Sequence, residues 1–289
     1  MTEAKEQPGG PAQDRIGAGP EEAAEAGSDR VALVTGGSSG LGLALARQLG
    51  ADGFIPVVLA RGEERLRSAE RTLQKLAPRA LGFRCDVTDP EELERVAGEV
   101  RRRFGKIHFL ILNAGVVHVG LLEDASDLSS LRADIDTDLW GSVLSARFFV
   151  PLLAEGGRLL VISSGFGLVG AAGYAPYCAA KAGLVNFAAS LRRELMHRKI
   201  SVHVACPGDI DTPQYREEIA SMPSWMSEAG DRGKPLSSEV AASRILRRTT
   251  GRRLLVVINW DLRALLFLRR LLPERWVEAI LDRLFPKPG

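Results

Sequence analysis

The run Val31-Ala32-Leu33-Val34-Thr35, followed at once by Gly36-Gly37-Ser38-Ser39-Gly40-Leu41-Gly42, constrains this chain more than any other stretch. An apolar run of this length without alternation reads as a strand buried on both faces, and the glycines open a helix that ends near Gly50. Strand, glycine turn and helix in that order predict a βα unit. In such a unit the glycines let the backbone come close to a pyrophosphate, and the helix N-terminus offers it N–H groups and a partial positive charge. Gly36, Ser38, Ser39, Gly40 and Gly42 are therefore candidate phosphate contacts. A tight turn without a ligand would use the same residues, so the rest of the chain must decide.

Beyond Gly50 strands and helices alternate regularly. Ile55–Leu59 reads as a second strand with Arg61 just beyond it and Arg65 one turn further on. An arginine at this point suits the 2′-phosphate of NADP, where an acid would suit the ribose of NAD, so the expected cofactor is NADP(H). A solvated helix face is the plain alternative for both arginines. A helix over Glu63–Leu76 and a strand over Ala80–Arg84 lead to Asp86 and Val87 at the sheet's carboxyl edge. Both are candidate cofactor contacts, although Asp86 could equally make a local turn with Thr88 and Asp89.

Spacing predicts a helix over Pro90–Phe104 and a strand over Ile107–Leu112. That strand ends in Asn113-Ala114-Gly115, small enough for a cofactor ring to lie against. A long helix over Leu131–Leu153, a strand over Arg158–Ile162 that delivers Ser163 and Ser164, a helix over Pro176–Arg198, and strands over Ile200–Ala205 and Arg253–Ile258 complete the pattern. The alternation implies an α/β fold, a Rossmann-type doubly wound parallel sheet of about seven strands in one domain over 29–259. C-terminal amphipathic helices extend it over 260–289, and the Gly-, Ala-, Pro- and Glu-rich tail over 1–28 is expected to be disordered.

Composition narrows the partners. A net charge of +2, with no arginine stripe interleaved with aromatics, argues against nucleic acid. The three cysteines are scattered, without metal-ligand spacing, which fits a reducing, cytoplasmic setting. Neither a secretory signal nor an apolar run near the roughly 20 residues of a spanning helix is visible.

Tyr177 and Lys181 stand four apart on the penultimate long helix and so share one face. A nearby ammonium favours phenolate over phenol, so Lys181 is expected to lower the Tyr177 pKa and make it a general acid or base for a carbonyl/alcohol couple. Alone, the spacing fits a solvated pair equally well.

Taken together, Thr35-Gly-Gly-Ser-Ser-Gly-Leu-Gly42, Asn113-Ala-Gly115, Ser164, Tyr177-x-x-x-Lys181 and Pro207-Gly-Asp-Ile-Asp-Thr212 resemble the short-chain dehydrogenase/reductase family over about residues 30–260. The resemblance implies an oxidoreductase in which Tyr177 protonates the substrate oxygen, Ser164 hydrogen-bonds the same oxygen, and Lys181 lowers the tyrosine pKa and holds the nicotinamide ribose. Pro207, Gly208, Ile210 and Thr212 would border the nicotinamide end. One departure is Asp138, which stands where the family carries an asparagine of a proton relay. An ionised aspartate only accepts hydrogen bonds, and near Lys181 it would favour the ammonium. This residue is the one feature favouring a dinucleotide-binding module without turnover.

The loop from Pro207 to Pro213 and the Arg61/Arg65 spacing look similar to those of 3-ketodihydrosphingosine reductases. That likeness implies a long-chain 3-keto sphingoid base as substrate; another hydrophobic ketone, a 3-oxoacyl thioester or a steroid, is the alternative. The segment 216–234 is expected to act as the flexible lid that decides. In the tail, Leu262, Leu265, Leu266, Leu272, Trp276, Ile280, Leu284 and Phe285 recur at near-helical spacing among arginines, with a break at Pro273. Such helices suit the cytoplasmic face of an anionic membrane, or packing on the domain or on a second copy in a homo-oligomer.

Overall fold

The computed structural model describes residues 29–124, 127–227 and 234–285. The tail 1–28 and residues 228–233 of the expected lid lie outside the described residues. The order is β1 (Val31–Thr35), α1 (Gly40–Ala51), β2 (Ile55–Ala60), α2 (Glu63–Gln74), β3 (Leu81–Arg84), α3 (Pro90–Phe104), β4 (Ile107–Leu112), α4 (Leu128–Asp134), α5 (Gly141–Phe149), β5 (Leu153–Ile162), α6 (Ala175–Glu194) and β6 (Ser201–Ala205). Then come β7 (Ile210–Asp211), α7 (Pro213–Ala220), α8 (Ser224–Ser227), β8 (Leu236–Ser237), α9 (Ser238–Arg248), β9 (Leu255–Val256), α10 (Trp260–Leu271) and α11 (Glu274–Leu284).

Seven strands pair in the order β3-β2-β1-β4-β5-β6-β9, every neighbour parallel. The chain winds outward from β1 to β3 and then returns to β4 on the other side of β1. A crevice opens above the carboxyl ends of β1 and β4, where such sheets bind ligands. Alternate residues of β1 face opposite layers: Val31 and Leu33 join one buried core, Ala32 and Val34 the other. Burial on both faces is why the strands read as unbroken apolar runs.

Three expectations are corrected. The single helix over 131–153 is broken: α4 ends at Asp134, a π-helical stretch spans Ile135–Trp140, α5 ends at Phe149, and one tight turn carries Pro151, which lacks an N–H, into β5. Helical spacing continues through the π stretch, so the pattern alone could not reveal it. β5 starts five residues early, because its Glu-Gly-Gly segment bulges between Leu153 and Arg158 with Gly156 at φ 73°. Only Leu255–Val256 of the predicted last strand pair with β6.

The tail packs on the domain. Leu262 and Leu266 join the larger core, while Val277 and Leu281 are buried with Val169 beside Phe166, Leu265, Leu272 and Phe285. Two members of the predicted inner stripe, Trp276 and Leu284, point to solvent instead, and Val277 and Leu281 take their place. The break at Pro273 rotates α11 relative to α10, so one continuous stripe cannot serve both.

Candidate active site

The glycine turn is shaped first by its own neighbours. Gly36 and Gly40 have φ of 64° and 50°, in the left-handed region that costs a side chain energy. A methyl group on Gly36 would sit 2.8 Å from the Ala114 Cα, and one on Gly42 would strike the Gly36 carbonyl and the Asn113 amide. Asn113 Nδ2 donates to the carbonyls of Thr35 and Gly36 at 3.0 and 3.1 Å, and the backbone N–H groups of Asn113 and Ala114 donate to Thr35 Oγ1. Asn113 and Ala114 are therefore the clamp that holds the turn flat, as well as cleft residues. Gly115 is small for a different reason: a Cβ there would lie 3.0 Å from the Asp138 carboxylate.

Above the turn lies a cleft of about 810 Å³. Gly36, Ser38, Ser39, Gly40 and Gly42 line one end, with Arg61, Arg65 and Val87 beyond them; Asn113, Ala114 and Gly115 form the floor; Ser164, Tyr177, Lys181, Pro207, Gly208, Ile210 and Thr212 close the other end. Two candidates stand elsewhere. Asp86 is not among the cleft residues; its Oδ1 accepts from the Thr88 N–H and hydroxyl at 2.9 and 2.8 Å, the local turn that was its alternative reading, and Oδ2 faces Arg61 at 4.0 Å. Asp138 is wholly buried behind Lys181 and cannot touch a substrate.

The groove suits a phosphorylated dinucleotide. The N-terminus of α1 faces it across small residues, and two guanidinium groups stand at the far end, where an anion beyond the pyrophosphate would find them.

Tyr177 and Lys181 face each other from successive turns of α6, the ammonium 5.3 Å from the phenol ring centre. The Ser164 hydroxyl hydrogen-bonds Tyr177. Ser163 is committed elsewhere: buried, it donates to the Lys181 carbonyl at 2.7 Å, which leaves Ser164 as the serine of the site. Tyr174 is also spoken for, 1 % exposed with its hydroxyl 2.5 Å from Glu218 of α7.

The expected direction of the tyrosine shift is corrected. Burial pushes the Tyr177 phenol up to about 12, and Lys181 lowers it only in part, because Asp138 pushes the other way. Lys181 is buried too; burial lowers it, but Asp138 Oδ2 at 2.8 Å and Tyr177 together hold it above the usual ammonium value. The other oxygen of Asp138 accepts from the Val116 N–H at 2.7 Å. Burial pushes the Asp138 carboxyl above the usual carboxylate value, and the Lys181 ammonium offsets that only in part. The net effect is a protonated phenol beside a fixed ammonium, poised as an acid.

Sequence reasoning missed several contributors. Phe166 lines the cleft with its ring 6.4 Å from that of Tyr177 and 6.2 Å from that of Phe285, so the tail touches the residue that walls the site. Leu262 fills the space a side chain on Gly165 would need, and Arg269 donates to the Leu168 carbonyl at 2.6 Å. His118 lines the cleft and meets buried Asp134 at 2.8 Å. Asp134-x-x-x-Asp138, two acids on one face of a predicted inner helix, was the available signal for this pair.

Residues 30–222 match the family model for short chain dehydrogenase. The chain belongs to that family. It is 36% identical over 222 residues to a Streptomyces coelicolor protein named as a ketoacyl reductase, covering 75% of this chain and 82% of that one. It is 29% identical over 248 residues to the 11-beta-hydroxysteroid dehydrogenase-like 4A of Arabidopsis thaliana, covering 85% and 81%. A Burkholderia cenocepacia short chain dehydrogenase, solved in complex with NADP, superposes with a TM-score of 0.70 at 26% identity, covering 80% of this chain and 96% of that one. Membership makes this short chain dehydrogenase an oxidoreductase, and the match covers every residue of the Tyr177 site except the tail that backs it.

Proposed function

We propose that the protein reduces a hydrophobic ketone at the expense of NADPH. The observation that carries this reading is the placement of the Tyr177 phenol at the cleft, flanked by Ser164 and the buried Lys181. NADPH, when bound, supplies the hydride; the glycine turn, Arg61 and Arg65 would hold its phosphates. Ser164 donates a hydrogen bond to the ketone oxygen and so stabilises the negative charge that develops there. Tyr177 gives that oxygen its phenolic proton, and the Lys181 ammonium stabilises the phenolate left behind. The dinucleotide relative and the names of the ketoacyl and hydroxysteroid relatives support the coarse reading.

For the substrate itself we infer a long-chain 3-keto sphingoid base, with a 3-oxoacyl thioester or a ketosteroid as the alternative. Beside the likeness of the Pro207–Pro213 loop, Asp209, Glu217 and Glu218 line the substrate side of the cleft, and an amine-bearing ketone complements carboxylates there. NADPH oxidation by purified protein, with the three ketones side by side, tests this. Activity only on the thioester or the steroid would retire the sphingoid assignment, and no activity on any would favour the module without turnover.

The tail bears on location. Trp260, Phe267, Leu271, Trp276 and Leu284 remain exposed beside Arg263, Arg270 and Arg275, a combination that suits the cytoplasmic face of an anionic membrane. Among the described residues no helix is long and apolar enough to cross one. Co-sedimentation with anionic vesicles tests the proposal, and a dimer by light scattering with no vesicle binding would assign the face to a second copy.

A further inference from the structure

The ketone end of the cleft carries a charge that does not suit a neutral ketone. Asp209, Glu217 and Glu218 line it, whereas the guanidinium groups that line the cleft, Arg61 and Arg65, stand at the opposite end. Two other cationic side chains lie closer, but Lys181 is turned to Asp138 at 2.8 Å and His118 to Asp134 at 2.8 Å. Hydride arrival puts negative charge first on the ketone oxygen and then on the phenol that protonates it, so a carboxylate nearby opposes the step. Glu218 is near enough to act: its charge pushes the Tyr177 phenol up, which makes it a weaker acid.

That carboxylate is nevertheless mounted with care. Tyr174, 1 % exposed at the N-cap of α6, donates its hydroxyl to Glu218 Oε1 at 2.5 Å, although Glu218 belongs to α7, 44 positions away. The Tyr174 ring is itself fixed against Phe166, the centres 4.8 Å apart, and lies 6.3 Å from the ring of Tyr177. A buried aromatic body with its hydroxyl aimed at one carboxylate is a stiff support for that charge. A substrate that brings its own positive charge beside the carbonyl removes the conflict. Its ammonium would meet Glu218 in a charge-assisted hydrogen bond, cancel the effect on Tyr177 and fix the ketone's position. We propose that Glu218, positioned by Tyr174, binds an ammonium group adjacent to the ketone and so makes cationic amino ketones the substrate class of this site. The inference rests on the reading of the protein as a reductase and decides among its ketones. A steroid or an acyl thioester brings no such cation and leaves Glu218 uncompensated.

The test sets an amino ketone, with its ammonium on the carbon next to the carbonyl, beside the same chain without nitrogen. Glu218→Gln keeps the shape and removes the charge. It should raise KM for the amino ketone roughly tenfold or more, the range of a hydrogen bond to a charged group, while kcat/KM for the nitrogen-free ketone rises. Tyr174→Phe keeps the charge and loosens its support, so it should raise KM for the amino ketone by a smaller factor. NADPH affinity at the wild-type value in both variants shows that the fold survives. Parallel losses on the two ketones, or an amino ketone indifferent to Glu218→Gln, overturn the proposal and leave the reductase standing; absence of wild-type turnover on every ketone overturns both. Calorimetry with the corresponding amino alcohol and the NADP-loaded protein reads the same contact without turnover. Affinity should be at least about tenfold lower in Glu218→Gln, and equal affinities mean that the ammonium sits elsewhere and the proposal fails.

Discussion

The two ends of the cleft are made of different material. The glycine-turn end is backbone: Gly36, Gly40 and Gly42 leave no room for side chains, Asn113 Nδ2 holds the Thr35 and Gly36 carbonyls, and Thr35 Oγ1 accepts from the N–H groups of Asn113 and Ala114. The Tyr177 end is side chain: Phe166, Tyr174, Glu218, Leu262 and Phe285 come from four separate elements and meet only in the folded protein. The first end is rigid because nothing larger fits. The second is rigid only where neighbours are packed or paired, and its chemistry depends on which neighbour wins, as burial wins over Lys181 at Tyr177.

The largest effect should come from the side-chain end. Tyr177→Phe removes the acid and nothing else, so turnover should fall on the order of 10³-fold while NADPH affinity stays unchanged. Equal losses in both would mean that the tyrosine is a wall and not an acid. The phenol itself can be followed: with its value raised from 10.0 to about 12, the folded protein holds a proton that the unfolded chain has lost. The stability tied to this group is then complete below pH 10 and is lost as pH rises toward about 12. An ultraviolet titration of tyrosinate, wild type against Tyr177→Phe, reads the same window, and a Tyr177 midpoint below 10 would reverse the assignment.

The backbone end should respond in stability before chemistry. Gly36→Ala combines a left-handed φ of 64° with a methyl 2.8 Å from the Ala114 backbone. Strain and overpacking together predict about 2–4 kcal/mol of destabilisation in a denaturant melt, with NADPH binding lost in parallel. Retained stability with lost binding would show that the glycine serves the ligand more than the clamp. Arg61→Ala comes next: it should weaken NADPH by about 1.5–3 kcal/mol and leave NADH untouched, since only the 2′-phosphate is missing from NADH. Equal effects on the two nucleotides would return Arg61 to the solvated helix face.

The same contrast explains what could be read from the chain. The sheet, its crossovers and the backbone end are legible because their signals are local: an apolar run, three glycines, Asn113-Ala-Gly115, each within a few residues of what it contacts or one strand away. Tyr177, Lys181 and Ser164 are legible as a pattern, but the sign of the tyrosine shift is not, because it is set by burial and by the carboxylates of Asp138 and Glu218, both about 40 residues away in sequence. Nor does Asp134 announce itself; only the fold shows that the helix turns it inward against His118.

The smallest effect tests whether the tail belongs to the side-chain end or merely rests on it. Leu262 lies half-buried against Gly165, next to Ser164, and Arg269 caps the Leu168 carbonyl at the far side of the same turn. Truncating a half-buried leucine should cost about 1–2 kcal/mol, less than the range for full burial, while Arg269→Ala, at an exposed site, should cost under about 1 kcal/mol. Because the tail touches the serine's turn and not the glycine turn, Leu262→Ala should raise KM for the ketone a fewfold and speed amide exchange in α10 and α11, with NADPH affinity fixed. A matching loss of NADPH affinity would mean that the two ends are mechanically one, and that backbone and side-chain rigidity are not separable in this cleft.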